Sequence, residues 1–351
     1  MLGLLRKRSF GALTLTQFLG AFNDNAFKQV IVLMATAVAA GAGPGEAMAW
    51  VASHPLGGGL PSWLSAQAIP PFLFSLPFVV FGPLTGSLAD RISKSRIIQA
   101  ANFLEIVVMA MATLAFWMTD YGILLGAVFL MGTQSALFGP SKYGCIKEMV
   151  GSRELSRANA LIQSSTMVAV LAGVFLGGIF SHYLRDNLWM AGIWYIAFAI
   201  LGWLSSLRIE LLPAVDPKRH INWNPVTELI GHWRATEGQR HLILSIIASS
   251  FFYLMAATFL IVIPTYGRWM GLTDTYTSML SAMPGLGIIV GAVVAGRVSG
   301  DRIEGGLIPL GLLGMAASLL GTAFAPENTV WVSVCLLGMG MFSGIFSIPV
   351  R

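Results

Sequence analysis

Long runs of apolar residues alternate along the chain with short polar segments. A helix needs about 20 mostly apolar residues to cross the hydrocarbon core of a bilayer. Ten runs predict such helices, over 10–40, 63–88, 97–118, 121–147, 156–182, 188–207, 241–266, 276–298, 306–324 and 329–350. The pattern therefore predicts an all-α integral membrane protein.

Composition strengthens this interpretation and excludes a soluble protein. Hydrophobic residues make up 56% of the chain and charged residues 11%, whereas a soluble domain carries about 25% charged residues. A net charge of +5 would suggest a nucleic-acid partner in a soluble protein. Here the basic residues lie between apolar runs, as in loops that face anionic lipid, so we expect the lipid bilayer and no nucleic acid as partner.

The distribution of Lys and Arg predicts the orientation. If the N-terminus is cytoplasmic, Arg185 and Arg268 are the only basic residues in the outer loops of the sequence. The inner segments hold the other loop cations, beginning with Arg6, Lys7 and Arg8. Positive charge is concentrated on the cytoplasmic side of membrane proteins, so the sequence predicts a multi-pass protein with its N-terminus inside.

The longest polar stretch separates six predicted helices from four. It runs over 208–240 and divides the chain into an N-terminal six-helix bundle, 1–207, and an incomplete C-terminal bundle, 241–351. Within it, 225–235 fits two interpretations: an amphipathic helix on the inner membrane surface, or a solvated linker.

Two landmarks recur about 210 residues apart, as expected for a duplicated helical unit. A glycine–aspartate–arginine segment ends helices 2 and 8, and an aromatic–proline segment ends helices 4 and 10. A second six-helix unit would be short of two helices, so the pattern predicts about 10 of 12 helices.

Polar residues inside the spans are the candidate site. Gln17, Asp24 and Lys28 share one stripe of the first helix, with Asn23 beside them. A charge at mid-bilayer costs roughly 2.5–3.5 kcal/mol even on the mildest scale. Two interpretations follow: an Asp24–Lys28 pair that neutralises itself, or a headgroup site in which Lys28 attracts a phosphate and Asp24 an ammonium or a coupling cation.

Three further helices of the first half also carry polar residues. A shared central cavity is the economical explanation, since lipid is an unfavourable surrounding for such side chains. The predicted cavity residues on these helices are Asn102, Glu105, Gln134, Lys142, Asn159 and Gln163. The second half lacks clear mid-span charges, so we expect a polar wall for a headgroup and an apolar wall for an acyl chain.

The segment from Gly86 to Arg96, between helices 2 and 3, resembles the cytoplasmic signature of the major facilitator superfamily. The resemblance implies a transporter fold with a loop that latches one half against the other. Gly86 is expected to permit close helix approach. The latch residues so implied are Gly86, Asp90, Arg91, Lys94 and Arg96, with Asp301 and Arg302 in the second copy.

Three segments narrow the resemblance to the bacterial lysophospholipid transporter family. They are residues 16–28, residues 135–144 and residues 154–161. The resemblance implies alternating-access movement of lysophospholipids across the bacterial inner membrane, where an acyltransferase can re-acylate them. A lysophospholipid or other small amphiphile is thus the expected substrate, and a cytoplasmic acyltransferase a possible partner.

Two other functions stay open at this point. One is a generic proton-coupled exporter of drugs or small metabolites, and the other is the membrane half of a bifunctional acyltransferase. We expect no enzyme activity in the chain itself, because no catalytic set is apparent. The two cysteines and five histidines are scattered, so we expect no cofactor and no metal site.

Overall fold

The computed structural model describes residues 2–39, 68–218, 224–236, 238–299, 306–324 and 326–350. All regular secondary structure in these ranges is helical. The helices are α1 (Leu2–Leu5), α2 (Arg8–Ala39), α3 (Ile69–Arg91), α4 (Lys94–Met118), α5 (Tyr121–Tyr183), α6 (Leu188–Ser206), α7 (Pro225–Ala235), α8 (Arg240–Trp269), α9 (Asp274–Ser299), α10 (Leu307–Phe324) and α11 (Thr329–Val350).

Nine helical stretches of the described ranges are long and apolar enough to cross a membrane. They match the second to tenth predicted spans, and the all-α membrane fold class is confirmed. The first predicted span forms α2, which has 32 residues but is not among the nine, because its polar side chains lower its hydropathy. Helix α2 tolerates them because it packs against α5 and α6.

Helix α5 contains the fourth and fifth predicted spans in one run. The sequence predicts a break between 147 and 156, and the structure has one at Gly151, with helix on both sides. This residue has φ 69° and ψ 173°, a region that glycine alone adopts readily. Gly151 therefore redirects the chain without a loop, separating the spans Tyr121–Gly151 and Leu161–Tyr183.

The chain forms two compact units, Met1–Ala235 and Thr236–Arg351. In the first unit, α2 lies against α5 and α6, and its buried Phe27 and Ile31 join a core with Met109, Leu124 and Tyr195. The helices approach closely because an added Cβ at Gly177 would lie 2.5 Å from the carbonyl oxygen of Ala26. The first unit thus has a tightly packed centre.

In the second unit, α9 and α10 both pack against α11. Gly287 and Gly291 bring α9 close to the backbone of α11 at Leu337 and Met341. Much of α8 is exposed, including Leu254 at 60%, which suits a surface in contact with lipid. Residues 40–67 and 300–305 are outside the described ranges.

Candidate functional site: a polar cluster inside the first unit

A chain of hydrogen bonds joins α2 to both parts of α5. The ammonium of Lys142 donates to Oε1 of Gln17 at 2.6 Å. The amide nitrogen of Gln17 donates to the hydroxyl of Thr166 at 2.5 Å. Lys142 is 9% exposed and Gln17 4%, and the ammonium also lies 4.6 Å from the centre of the Tyr143 ring. The structure thus brings these two predicted residues together.

A second contact joins α2 to α4 and α6. Nδ2 of Asn23 donates to Oε1 of Glu105 at 3.0 Å and to the backbone carbonyl of Tyr195 at 3.1 Å. Asn23 is fully buried and Glu105 is 2% exposed. Gly20 leaves room for the other carboxylate oxygen, since a Cβ there would lie 3.3 Å from it. Asn23 therefore holds Glu105 in the interior.

Asp24 faces the first part of α5. Its Oδ2 accepts a hydrogen bond of 3.0 Å from the hydroxyl of Ser135, which also lies 3.1 Å from Oε1 of Gln134. Among the described residues, Oδ1 of Asp24 and Oδ1 of Asn23 are buried atoms without a hydrogen-bond partner. A buried acceptor without a hydrogen-bond donor lowers the stability of the folded protein unless a donor or a cation binds to it. The site thus has unused acceptors suited to a cation or a donor.

Lys28 lies one turn beyond Asp24 but interacts differently from the predicted pair. Its ammonium lies 4.2 Å from the centre of the Phe74 ring of α3. Asp24 and Lys28 attract each other electrostatically, yet they are not one of the ion pairs formed within the described residues. Each side chain thus has a contact on a neighbouring helix besides its electrostatic attraction to the other.

Three predicted cavity residues lie apart from these contacts. Asn102 is 1% exposed and donates to the carbonyl of Ile98 in its own helix. Asn159 is exposed and Gln163 is half-buried. The sequence analysis gave no role to Ser135, to Phe74 or to the carbonyl of Tyr195. Ser135 had a usable signal, since it adjoins Gln134 on the same helix.

The predicted latch segment forms a dense contact region at the start of α4. The stem of Lys94 passes over Gly144, and its ammonium pairs with Glu148 at 2.6 Å. Arg91 and Arg96 are exposed. A Cβ at Gly86 would meet no described atom within 4 Å, so the expected close helix approach there is absent from this conformation. Asp301 and Arg302 lie outside the described residues.

The linker segment 208–218 is attached to the same region. The hydroxyl of Ser95 donates to the carbonyl of Glu210 at 2.7 Å and accepts from the amide of Leu212 at 3.2 Å. The amide of Asp216 donates to the carbonyl of Asp90 at 2.9 Å. The loop that begins α4 therefore fixes the path of the chain after α6.

The cluster combines two cations, Lys28 and Lys142, with two acids, Asp24 and Glu105, inside an apolar helical unit. Such intramembrane charges are functional candidates by default. The described residues contain no group of three His, Cys, Asp or Glu that would hold a metal ion. Together these side chains place acidic and basic groups on three neighbouring helices of one unit.

These features define a polytopic membrane protein with a polar interior site. The family model of the Major Facilitator Superfamily matches residues 13–351, and the chain belongs to that family. This confirms the resemblance identified from the segment between Gly86 and Arg96. Solved structures agree on the fold. The match to a D-xylose–proton symporter has a TM-score of 0.68 at 14% identity and covers 97% of this chain and 82% of the symporter. The human organic anion transporter MFSD10 matches with a TM-score of 0.67 and 14% identity, over 97% of this chain and 84% of its own.

Curated relatives carry a more specific description. The lysophospholipid transporter LplT of Photorhabdus laumondii is 27% identical over 360 residues, covering 99% of this chain and 80% of the relative. LplT of Serratia proteamaculans is 29% identical, and the match covers 99% of this chain and 80% of the relative. LplT of Escherichia coli O1:K1 is 26% identical, again over 99% of this chain and 80% of the relative. The narrower resemblance given by residues 16–28, 135–144 and 154–161 is thus confirmed.

Proposed function

We propose that this protein is a transporter that moves lysophospholipids across the bacterial inner membrane by alternating access. The observation that carries the proposal is the polar cluster of α2, α4 and α5 inside the first unit of a Major Facilitator Superfamily chain. The relatives named lysophospholipid transporters support the substrate class. The chain acts in transport and carries out no chemical conversion of its substrate.

Within this proposal, the headgroup binds at the cluster. Lys28 attracts the phosphate, because its present contact is the face of an aromatic ring, which an anion can replace at modest cost. Asp24 receives the ammonium of an ethanolamine headgroup or a coupling cation, since one of its oxygens is buried without a partner in the described structure. Lys142 supplies a donor from the neighbouring helix α5, and Gln17 supplies one from α2 itself.

The second unit is proposed to accommodate the acyl chain. It holds a cavity of about 240 Å³ lined by apolar residues of α8, α10 and α11, among them Phe259, Ile263, Leu319 and Leu336. An apolar wall of this kind favours hydrocarbon over a hydrated group.

The proposal also includes the orientation of the chain in the membrane and the partner that uses the transported lipid. The N-terminus is cytoplasmic, and the loop from Gly86 to Arg96 is released and re-formed as the transporter alternates between its two states. The lysophospholipid arrives in the inner leaflet, where a cytoplasmic acyltransferase is the partner that re-acylates it.

The test is uptake of labelled lysophosphatidylethanolamine by cells that lack their own uptake activity. The double variant Asp24→Ala, Lys28→Ala is expected to reduce uptake at least tenfold at equal expression, because both headgroup contacts are lost. Lys147→Ala is the matched control, since this exposed lysine lies outside the cluster and its loss leaves uptake unchanged.

Uptake by the double variant at the level of the control would refute the proposed headgroup site. A chain that transports small metabolites with a proton gradient, and shows no preference for lysophospholipids, would instead support the generic exporter. Both assays use the same cells, so the two functions are separated by substrate alone.

A further inference from the structure

Helix α7 carries an apolar stripe on its surface. Val226, Leu229, Ile230 and Trp233 follow the spacing i, i+3, i+4 and i+7, so they share one face roughly 100° wide. Their exposed fractions are 61%, 53%, 45% and 55%. We call these four residues the α7 stripe. Four large apolar side chains exposed together on a short polar linker need an apolar surrounding.

The charged residues of α7 are arranged around this stripe. Glu228 lies on the opposite side of the helix, roughly 150° from the centre of the stripe, and Arg234 lies at its edge, roughly 40° beyond Ile230. A cation at the edge of an apolar face reaches lipid phosphates while its stem stays in contact with hydrocarbon. The pattern matches a helix that lies flat in a membrane interface.

The residues at the start of α7 favour a helix that begins there. Asn224 caps the helix, its Oδ1 accepting from the amides of Val226 at 3.0 Å and Thr227 at 3.4 Å. Pro225 occupies the first helical position and Glu228 the first turn, both of which favour a helix start. An isolated helix of 11 residues is marginal in water. Burial of the α7 stripe would supply the missing stabilisation.

The bilayer surface is the apolar phase within reach of α7. The helix contacts α3, which has the length and composition of a membrane span, and the spans α6 and α8 precede and follow it in the chain. Trp233 has the side chain that is enriched at membrane–water interfaces. No further protein segment is needed to cover the stripe.

We propose that α7 lies in the membrane interface, with the α7 stripe inserted at the boundary between headgroups and acyl chains and Arg234 on anionic phospholipid. In the orientation proposed above this is the inner leaflet. The proposal concerns a lipid-binding surface and is independent of the transported substrate. It selects the membrane-surface interpretation of residues 225–235 over the solvated linker.

The experiment compares two labelled positions on opposite sides of α7. The full chain carries either Leu229→Cys or Thr227→Cys, which lie roughly 160° apart on the helix, each labelled with an environment-sensitive fluorophore in vesicles of phosphatidylethanolamine and phosphatidylglycerol. Thr227 is exposed and lies off the α7 stripe, so it is the matched control. Cys145 and Cys335 are buried, and the parent chain treated in parallel gives the background.

The expected result is strong quenching of the Leu229→Cys label by lipid-borne nitroxides, with iodide quenching several-fold weaker than at Thr227→Cys. Equal iodide quenching at both positions would show a solvated linker and overturn the proposal. Protection of Leu229→Cys from both quenchers would show that protein covers the stripe, which also overturns it. None of these readouts requires lysophospholipid transport, so failure of the proposed function leaves this test unaffected.

Discussion

At the scale of single residues, Asn23 is a buried side chain whose hydrogen bonds reach two other helices. It is fully buried, and its one amide group donates to the carboxylate of Glu105 and to the backbone of Tyr195. It thereby joins three helices through one side chain. A buried acceptor that loses its donor costs about 1–3 kcal/mol, and a charged acceptor costs more.

We therefore expect Asn23→Ala to destabilise the protein by about 1–3 kcal/mol, seen as a lower thermal unfolding midpoint in mild detergent. Asn25→Ala is the matched control, because Asn25 donates only to the carbonyl of Ala21 among the described contacts and loses a contact within its own helix. Equal midpoints for the two variants would contradict the bridging role of Asn23.

The sequence predicts which residues of the site are polar and on which helix face they lie, but not their partners. Spacing within α2 correctly places Gln17 and Asp24 on a side that meets α5. The same spacing places Lys28 one turn from Asp24, but it does not reveal that Asp24 also contacts Ser135 and Lys28 also contacts Phe74. The choice between a neighbour one turn away and Ser135 or Phe74 depends on how closely helices pack, which a single-helix pattern does not contain.

At the scale of elements, the linker segment 208–218 is held by the start of α4 through Ser95. One hydroxyl both donates to Glu210 and accepts from Leu212, so it satisfies two backbone groups that a linker would otherwise expose to water. Residues 208–218 of the linker are thus held in place by α4, which their polar and proline-rich sequence does not indicate.

Ser95→Ala is expected to speed hydrogen exchange of the Leu212 amide at least several-fold, because that amide loses its acceptor. Ser93→Ala serves as the control, since the hydroxyl of Ser93 is buried without a hydrogen-bond partner among the described residues. Mass spectrometry of the peptide covering 208–218 measures the exchange. Identical exchange in both variants would remove Ser95 as the anchor of the linker.

Element boundaries were predictable wherever hydrophobicity changes sharply. Helix α6, predicted over 188–207, is Leu188–Ser206, and α11, predicted over 329–350, is Thr329–Val350. The break within α5 was predictable but its form was not, since the polar residues there resemble a loop whereas the structure turns at Gly151. The backbone torsion of one glycine replaces that loop, and torsion leaves no hydropathy signal.

At the scale of the whole molecule, the proposed orientation is the property most open to direct test. Loop cations favour a cytoplasmic N-terminus. Two exposed positions lie in loops expected on opposite sides, Lys218 after α6 and Asn187 between α5 and α6. Each accepts a cysteine without loss of a buried contact.

We expect an impermeant maleimide to label Asn187→Cys in intact spheroplasts and Lys218→Cys only in inverted vesicles. Each variant is the control for the other, because the same preparation must label one and spare the other. The reverse pattern would place the N-terminus outside, and with it the linker and α7.

The polar character of α2 has a consequence for how the protein is made. Helix α2 precedes the nine stretches that have the length and hydropathy of a membrane span, and its own hydropathy falls short of theirs. The side chains that its acid and its lysine contact, Ser135 of α5 and Phe74 of α3, are synthesised after it. We therefore expect α2 to integrate stably into the bilayer only once these later helices have been made.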